Sequence, residues 1–269
     1  MRYSDLHTHT VFSDGSHTME EMVRAALERN FESIGFSDHS YTPFDLTYCM
    51  PIRRLEEYHA EIRRLKEQYA WVIDVYAGLE CDGYTVLTDR ERYDYVIGDC
   101  HYIRLGERYF SVDHDRDDHR KTIEDWFGGD SLAYARAYFD TYVERMRICR
   151  PDILGHFDLA AKYGMMDEEN PAYRRLATDA LMTCLEVTPI VEMNSGAVAR
   201  GLRREMYPNR FLLREILFNG GKILLSGDAH SCDKLGFAFD AALEVLREIG
   251  FRSVVMLRSG GFEDVGIDE

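Results

Sequence analysis

Three observations in the sequence predict an α/β fold in which strands and helices alternate. Short runs of β-branched and aromatic residues recur between segments of helical period. Most of these runs are followed at once by a histidine, aspartate, glutamate or asparagine, where a (β/α) barrel or a doubly wound sheet gathers its chemistry. The chain has 269 residues, 45% of them hydrophobic, which suits one large domain or two small ones. No linker, repeat or low-complexity stretch divides it, so residues 1–269 are read as a single domain.

Taken in order, Tyr3 to Leu6 reads as the first strand. Thr18 and Glu21 form a capping-box pattern, and Met22, Val23, Ala26 and Leu27 follow at helical spacing. Glu32 to Ser37 is a second strand. Leu55, Tyr58, Ile62, Leu65 and Tyr69 mark one face of a helix. Trp71 to Leu79 and Tyr93 to Gly98 are the third and fourth strands. Residues 104–130 are long, polar and acidic, with a Gly128-Gly129 break, and are expected to be an insertion or lid over a site. Ser131 is placed as the cap of the next helix. Strands are then expected at Asp152–Gly155, Pro189–Met193 and Lys222–Ser226, and helices at Tyr173–Glu186, Tyr207–Phe218 and Leu235–Ile249. Arg252 to Leu257 is an eighth strand candidate.

Composition narrows the function. The net charge is −16 with histidine neutral. Such a surface repels a nucleic-acid backbone unless a basic patch compensates, and Arg200, Arg203 and Arg204 are the nearest thing to one. No apolar run is long enough to cross a bilayer and no basic-then-apolar leader opens the chain. The expectation is a soluble cytoplasmic protein that binds neither nucleic acid nor membrane. Its six cysteines lack any Cys-x-x-Cys spacing and are expected to be reduced thiols.

The strand ends carry the chemistry. His7, His9 and Asp14 follow the first strand, Asp38 and His39 the second, Glu80 the third and His101 the fourth. His156 and Asp158 follow the fifth, Asn194 the sixth, Asp228 and His230 the seventh. Singly, each histidine suits a core or solvated position. As a set they do not, because six of the ten histidines fall in these short windows. Imidazole and carboxylate donors without thiolates suit Zn, Fe or Mn. Nine candidate ligands (His7, His9, Asp14, His39, Glu80, His101, His156, Asp228 and His230) are too many for one ion and enough for two or three. Three divalent ions would outweigh the carboxylates of Asp14, Glu80 and Asp228 and draw a small phosphorylated substrate into the pocket.

His7-Thr8-His9, Asp14-Gly15, Ser37-Asp38-His39, Gly78-Leu79-Glu80, the His101 segment, Gly155-His156-Phe157-Asp158 and Gly227-Asp228-Ala229-His230 together resemble the PHP superfamily (polymerase and histidinol phosphatase). Met22 to His39, Val96 to Ile103, Pro151 to Leu159 and Glu192 to Gly196 resemble its histidinol-phosphatase branch. The resemblance implies a distorted (β/α)7 TIM-like barrel holding three divalent metal ions. Carried over by position, His7, His9, Glu80 and Asp228 would hold one ion. Glu80, His101 and His156 would hold a second, and Asp14, His39 and His230 a third. Asp38 and Asp158 would orient ligand histidines, or be simple turn aspartates. The implied reaction is hydrolysis of L-histidinol phosphate in histidine biosynthesis, by a metal-bound hydroxide attacking phosphorus in line. Asp228 and His230 are the candidates for protonating the leaving oxygen. Arg200 and Arg203 are the candidate phosphate clamps, with Asn194 as a further substrate contact. Another small phosphate ester, a nucleotide or a short oligonucleotide is the alternative substrate, and a catalytically silent docking module the alternative class.

Two positions depart from the family pattern. Asp99 stands where a small hydroxyl residue is expected, adding a carboxylate able to shift metal preference or pair with a substrate amine. Gly227 stands where serine is usual. His114 and His119 are read as loop residues rather than ligands. Tyr41, Phe44 and Tyr102 suit either packing or an imidazole pocket.

Overall fold

In the computed structural model, residues 2–268 other than 85, 86 and 88 are described. The elements run β1 (Ser4–Asp5), α1 (Met19–Glu28), β2 (Ser33–Phe36), α2 (Leu55–Tyr69), β3 (Asp74–Ala77), β4 (Glu80–Cys81), β5 (Ile97–Gly98), β6 (Tyr102–Leu105) and β7 (Arg108–Ser111). They continue α3 (Arg116–Phe127), α4 (Ser131–Cys149), β8 (Ile153–Leu154), α5 (Pro171–Leu185), β9 (Ile190–Asn194), α6 (Gly196–Ala199), α7 (Arg210–Phe218), β10 (Lys222–Ser226), α8 (Phe239–Ile249), β11 (Ser253–Arg258) and β12 (Gly261–Gly266). Among the described residues no helix is long and apolar enough to cross a membrane.

Local chemistry sets the helix ends. The Thr18 side chain accepts from the Glu21 N–H and the Glu21 carboxylate accepts from the Thr18 N–H, a complete capping box on α1. On α2, Tyr58, Ile62 and Leu65 form the buried stripe. The cap of α4 is Asp130, not Ser131: its carboxylate accepts from the N–H groups of Leu132 and Ala133, and a carboxylate also suits the positive end of the helix. Asn209 caps α7, so that helix starts three residues later than the apolar pattern suggests, after Pro208.

Two parallel sheets result, in the orders β1-β2-β3 and β10-β9-β8-β5-β4. The β9–β10 ladder is the longest, from Ile190 opposite Lys222 to Asn194 opposite Ser226. Single parallel bridges link the sheets at both ends, Thr8 with Ala229 and His39 with Glu80. β3 and β4 are one extended run interrupted at Gly78-Leu79. A Cβ on Gly78 would fall 2.2 Å from the Tyr95 ring and one on Gly35 2.3 Å from its hydroxyl. Tyr95 fills that space, and its hydroxyl donates to the Leu6 carbonyl.

Tyr95 belongs to a small inner core with Leu6, Ile97, Ile153, Ile190, Leu224, Val255 and Leu257. It is separate from the large outer core, in which helices pack on the sheets. The eighth strand candidate is β11. It pairs antiparallel with β12, and its Val255 and Leu257 complete the inner core.

Residues 104–130 are not a structureless loop. β6 and β7 form a hairpin, and α3 follows with Asp115 as its cap. The polar composition reflects an exposed helix face rather than missing structure. All six cysteines are free thiols.

Gly78→Ala is expected to cost about 1–3 kcal/mol of unfolding free energy in urea, through overpacking against Tyr95. Tyr95→Leu should recover part of that loss in the double variant. Strictly additive losses would place the clash elsewhere.

Candidate metal centre

Glu80 begins β4 and is 1% exposed. Five imidazoles surround its carboxylate: His39 Nδ1 at 2.7 Å, His156 Nε2 at 3.1 Å, His7 Nε2 at 3.3 Å, His9 Nε2 at 3.4 Å and His101 Nε2 at 3.4 Å. Asp228 Oδ1 lies 3.5 Å from His9 Nε2, and Asp14 Oδ2 lies 3.2 Å from His230 Nε2. All nine candidate ligands from the strand ends therefore meet in one nest. Their donor atoms fall into overlapping groups within 4.8 Å: His9, Asp14, His39 and His230; His7, Glu80, Asp99 and His156; His7, His9 and Asp228; His39, Glu80 and His101.

Several of these buried atoms face one another without an aligned hydrogen bond: His7 Nε2, both ring nitrogens of His9, His39 Nδ1 and Glu80 Oε2. Buried polar atoms in a native core are normally satisfied. Opposed, unsatisfied imidazole and carboxylate atoms are what a site built around cations leaves, so the residues fit divalent ions.

Charge balance supports this. Burial works against a proton on His7, but Glu192 and Glu80 overturn it and hold the imidazole well above its ordinary range. His39 is likewise raised to about 9 against burial, by Glu80 and Asp14, and His156 to about 10, by Asp99 and Glu80. His9, buried beside His230 and His39, is pushed down to about 3. The carboxylates thus draw three of these imidazoles toward the positive form that a bound cation would replace.

The outward-facing ring nitrogens are held by carboxylates that the strand-end pattern did not single out for this role. Glu192 Oε2 lies 2.8 Å from His7 Nδ1, while its Oε1 accepts from the His156 N–H at 2.6 Å. Asp82 Oδ1 lies 2.9 Å from His101 Nδ1 and accepts from that residue's N–H. Asp99 Oδ1 lies 2.9 Å from His156 Nδ1. Asp99 is fully buried, so its partner is a ligand candidate rather than a substrate amine. Such carboxylate–imidazole pairs fix the ring orientation that a metal needs. A period-two reading finds Glu192 and Asp82 as inward residues two before Asn194 and two after Glu80, a signal that marks position but not partner.

Asp38 and Asp158 do not orient histidines. Asp38 accepts from the Thr10 and Ser13 N–H groups and from both hydroxyls, bracing the loop that carries Asp14. Asp158 accepts from the Asn209 N–H and pairs with Arg203 at 3.5 Å. The Gly227 departure has a steric cause: a Cβ there would fall 2.4 Å from Asp5 Oδ2, and Asp5 Oδ1 accepts from the Gly227 N–H.

A cavity of about 350 Å³ opens above the nest. Asp14, His39, His101, His156, Asp228 and His230 form its base, and Arg200 and Lys162 its cationic wall. Arg200 Nη2 lies 2.8 Å from Asp228 Oδ2, and Lys162, which the sequence reading missed, pairs with Asp113 at 2.9 Å. Arg203 and Asn194 are not brought to the cavity. Arg203 is buried between Glu168 and Asp158 and over the Tyr207 ring. Asn194 donates to Glu192 Oε1 and accepts from the Gly196 N–H, both at 2.8 Å; it braces the carboxylate behind His7. Tyr102 and His114 line the cavity, and Phe44, which packs edge-on against Tyr102, stacks on Tyr109. Tyr41 lines a separate cavity. His119 is buried, with Nδ1 2.7 Å from the Val112 carbonyl.

Zn2+, Fe2+ or Mn2+ at about a hundredfold over its Kd is expected to raise Tm by about 5 °C per independent ion, with reversal by chelator. A Tm indifferent to all three ions would show that the nest is not a metal centre.

Comparison with known proteins agrees with this geometry. The PHP domain family matches residues 5–195. A "Probable histidinol-phosphatase" of Deinococcus radiodurans is 29% identical over 260 residues, spanning 93% of this chain and 95% of that protein. A "Histidinol-phosphatase" of Bacillus subtilis is 25% identical over 270 residues, spanning 91% and 99%. Among solved structures, histidinol phosphate phosphatase from Lactococcus lactis, complexed with Zn, L-histidinol and phosphate, superposes with a TM-score of 0.74 at 21% identity, covering 97% of this chain and 99% of that one. With the matched segment running from the first strand to the turn after β9 and taking in seven of the nine residues of the nest, the chain belongs to the PHP domain family.

Proposed function

We propose that this chain is a metal-dependent phosphate monoester hydrolase that converts L-histidinol phosphate to L-histidinol and phosphate, a cytoplasmic step of histidine biosynthesis. The observation that carries the reading is the convergence of nine imidazole and carboxylate side chains in one nest, six of them lining a cavity whose wall carries Arg200 and Lys162. Relatives matched over most of their length bear the histidinol-phosphatase name, which supports the substrate.

The residues suit three divalent ions, Zn, Fe or Mn. His7, His9, Glu80 and Asp228 would hold one, Glu80, His101 and His156 a second, and Asp14, His39 and His230 a third. When bound, such ions offset the phosphoryl charge and acidify water as the nucleophile. Arg200 presents its planar fork to the phosphate from the wall, exchanging part of its contact with Asp228 for phosphoryl oxygens. His230 is the better placed of the two candidate acids. Its side chain is 28% exposed, whereas Asp228 is 8% exposed and clamped by Arg200. His230 Nε2 faces Asp14 at 3.2 Å, the side on which the third ion would be held, so a proton for the leaving alkoxide would come from its Nδ1 edge, 3.1 Å from the Asp228 carbonyl, or from water. Net charge of −16 disfavours nucleic acid as substrate.

The fold reading that accompanies this function is a distorted (β/α)7 barrel. The two inter-sheet bridges support a ring running β1, β2, β3 with β4, β5, β8, β9, β10 and back to β1. The inner core supports it too, since Leu6, Tyr95, Ile97, Ile153, Ile190 and Leu224 come from or adjoin strands around that ring. Residues 104–130 would act as a lid, with the β6–β7 hairpin and α3 beside the cavity mouth.

Phosphate release by metal-reconstituted protein tests the proposal, with L-histidinol phosphate beside other phosphomonoesters and a nucleotide diester. A kcat/KM preference of several hundredfold for L-histidinol phosphate, abolished in His7→Ala, is expected. Activity without that preference would sink the substrate and leave the metal chemistry. In the same assay Arg200→Ala should lower kcat/KM by about 100-fold or more. Arg203→Ala should act mainly on Tm, because it strands Asp158 and Glu168; equal kinetic losses in both would refute the division between the two arginines.

A further inference from the structure

Four carboxylates line the cavity, and three have cationic or imidazole partners. Asp14 meets His230 and His39, Asp228 meets Arg200, and Asp113 meets Lys162. Asp45 is the fourth. Its Oδ1 accepts from the Thr47 N–H at 2.9 Å and the Thr47 hydroxyl at 2.6 Å, and its Oδ2 accepts from the Tyr102 hydroxyl. Among the described residues it makes no ion pair. His114 lines the same wall, but its Nε2 lies 3.9 Å from Asp118 and 4.0 Å from Asp115. The neutral donors keep Asp45 ionised: burial opposes its charge, yet Thr47 and Tyr102 hold it below the ordinary carboxylate value.

The wall between Asp45 and the nest is aromatic. The Tyr48 ring lies 4.8 Å from that of His39 and 6.1 Å from those of His101 and Tyr102. Tyr48 is fixed at its hydroxyl by Thr42 at 2.8 Å and Asp82 at 3.1 Å. The loop that carries Asp45 is pinned by Phe44, stacked on Tyr109 of the β6–β7 hairpin with centroids 3.7 Å apart. A fixed, part-buried anion therefore stands at the far end of an aromatic wall that starts at the histidines.

From this arrangement we infer that Asp45 is a specificity-determining residue that binds a cationic nitrogen on the tail of the substrate. The inference rests on the phosphatase reading above, which places the phosphate at the base of the cavity. The tail then runs along Tyr48 and Tyr102 and brings its cation to a carboxylate that already has its neutral donors. A phosphate ester without a cation leaves that carboxylate unpaired, which is how a polar site rejects an analogue.

The test compares L-histidinol phosphate with p-nitrophenyl phosphate, and an aminoalkyl phosphate with its uncharged alkyl analogue, on metal-loaded wild type, Asp45→Asn and Asp45→Glu. Binding of L-histidinol to the same proteins is followed by calorimetry. Asp45→Asn should lower the kcat/KM ratio of cationic to uncharged ester by about 10- to 100-fold, through KM rather than kcat. It should weaken L-histidinol binding to match, and Asp45→Glu should restore part of both. If both members of each pair fall by one factor, or the ratio holds, Asp45 only shapes its loop and the inference fails. An enzyme that ignores L-histidinol phosphate yet shows an Asp45-dependent preference for the aminoalkyl ester would remove the named substrate and keep the cation site. A wild type with no preference for cationic esters overturns the inference outright.

Discussion

The burial of Glu80 is the constraint on which the rest of the molecule turns. A carboxylate enclosed in protein loses its hydration, at a cost of several kcal/mol unless compensating charge surrounds it. Here five imidazoles from the ends of four strands surround it, and all but His9 are drawn toward the charged form. Each must arrive with a particular ring edge, and so each strand end needs its own brace. Glu192 behind His7, Asp82 behind His101 and Asp99 behind His156 are the result. A nest this polar also needs a dry floor, and the inner core of Leu6, Tyr95, Ile97, Ile153, Ile190 and Leu224 is gathered as a cluster apart from the outer core.

Most of the fold was legible because it depends on local pattern. The α2 stripe from Leu55 to Tyr69 and the run Lys222–Ser226 are observed where periodicity put them. The site positions were legible because strand ends collect chemistry. What escaped was whatever depends on a partner distant in sequence. Glu192 serves His7, 185 residues away, and no spacing rule links the two. Arg203 and Arg200 look alike on paper, yet a burial difference decides which reaches the cavity: side chains 6% and 33% exposed. For Asp38 and Asp158 the sequence left two readings, histidine partner or turn aspartate, and backbone N–H groups were the stronger demand. The hairpin and helix inside 104–130 escaped for a different reason. A solvated helix such as α3 carries little apolar pattern.

The two sequence departures show opposite logics. Gly227 is a steric concession to Asp5, whose carboxylate ties β1 to the segment after β10 by accepting from the N–H groups of Gly227 and Gly236. Burial pushes Asp5 up to about 6 against these hydrogen bonds, which marks how enclosed that junction is. Asp99 instead adds a carboxyl 2.9 Å from His156 Nδ1, in the position that Glu192 and Asp82 hold behind His7 and His101, although burial pushes it up to about 7.

The Phe44–Tyr109 stack joins two segments that lie outside both parallel sheets, the loop after His39 and the β6–β7 hairpin. The rim of the cavity is thus made from parts that carry neither the strand order nor the inner core. Its residues meet the nest at few points, chiefly Tyr48 against His39 and Asp82. A protein assembled this way separates what it does to a bond from which molecule it admits, and the two can change at different rates over descent.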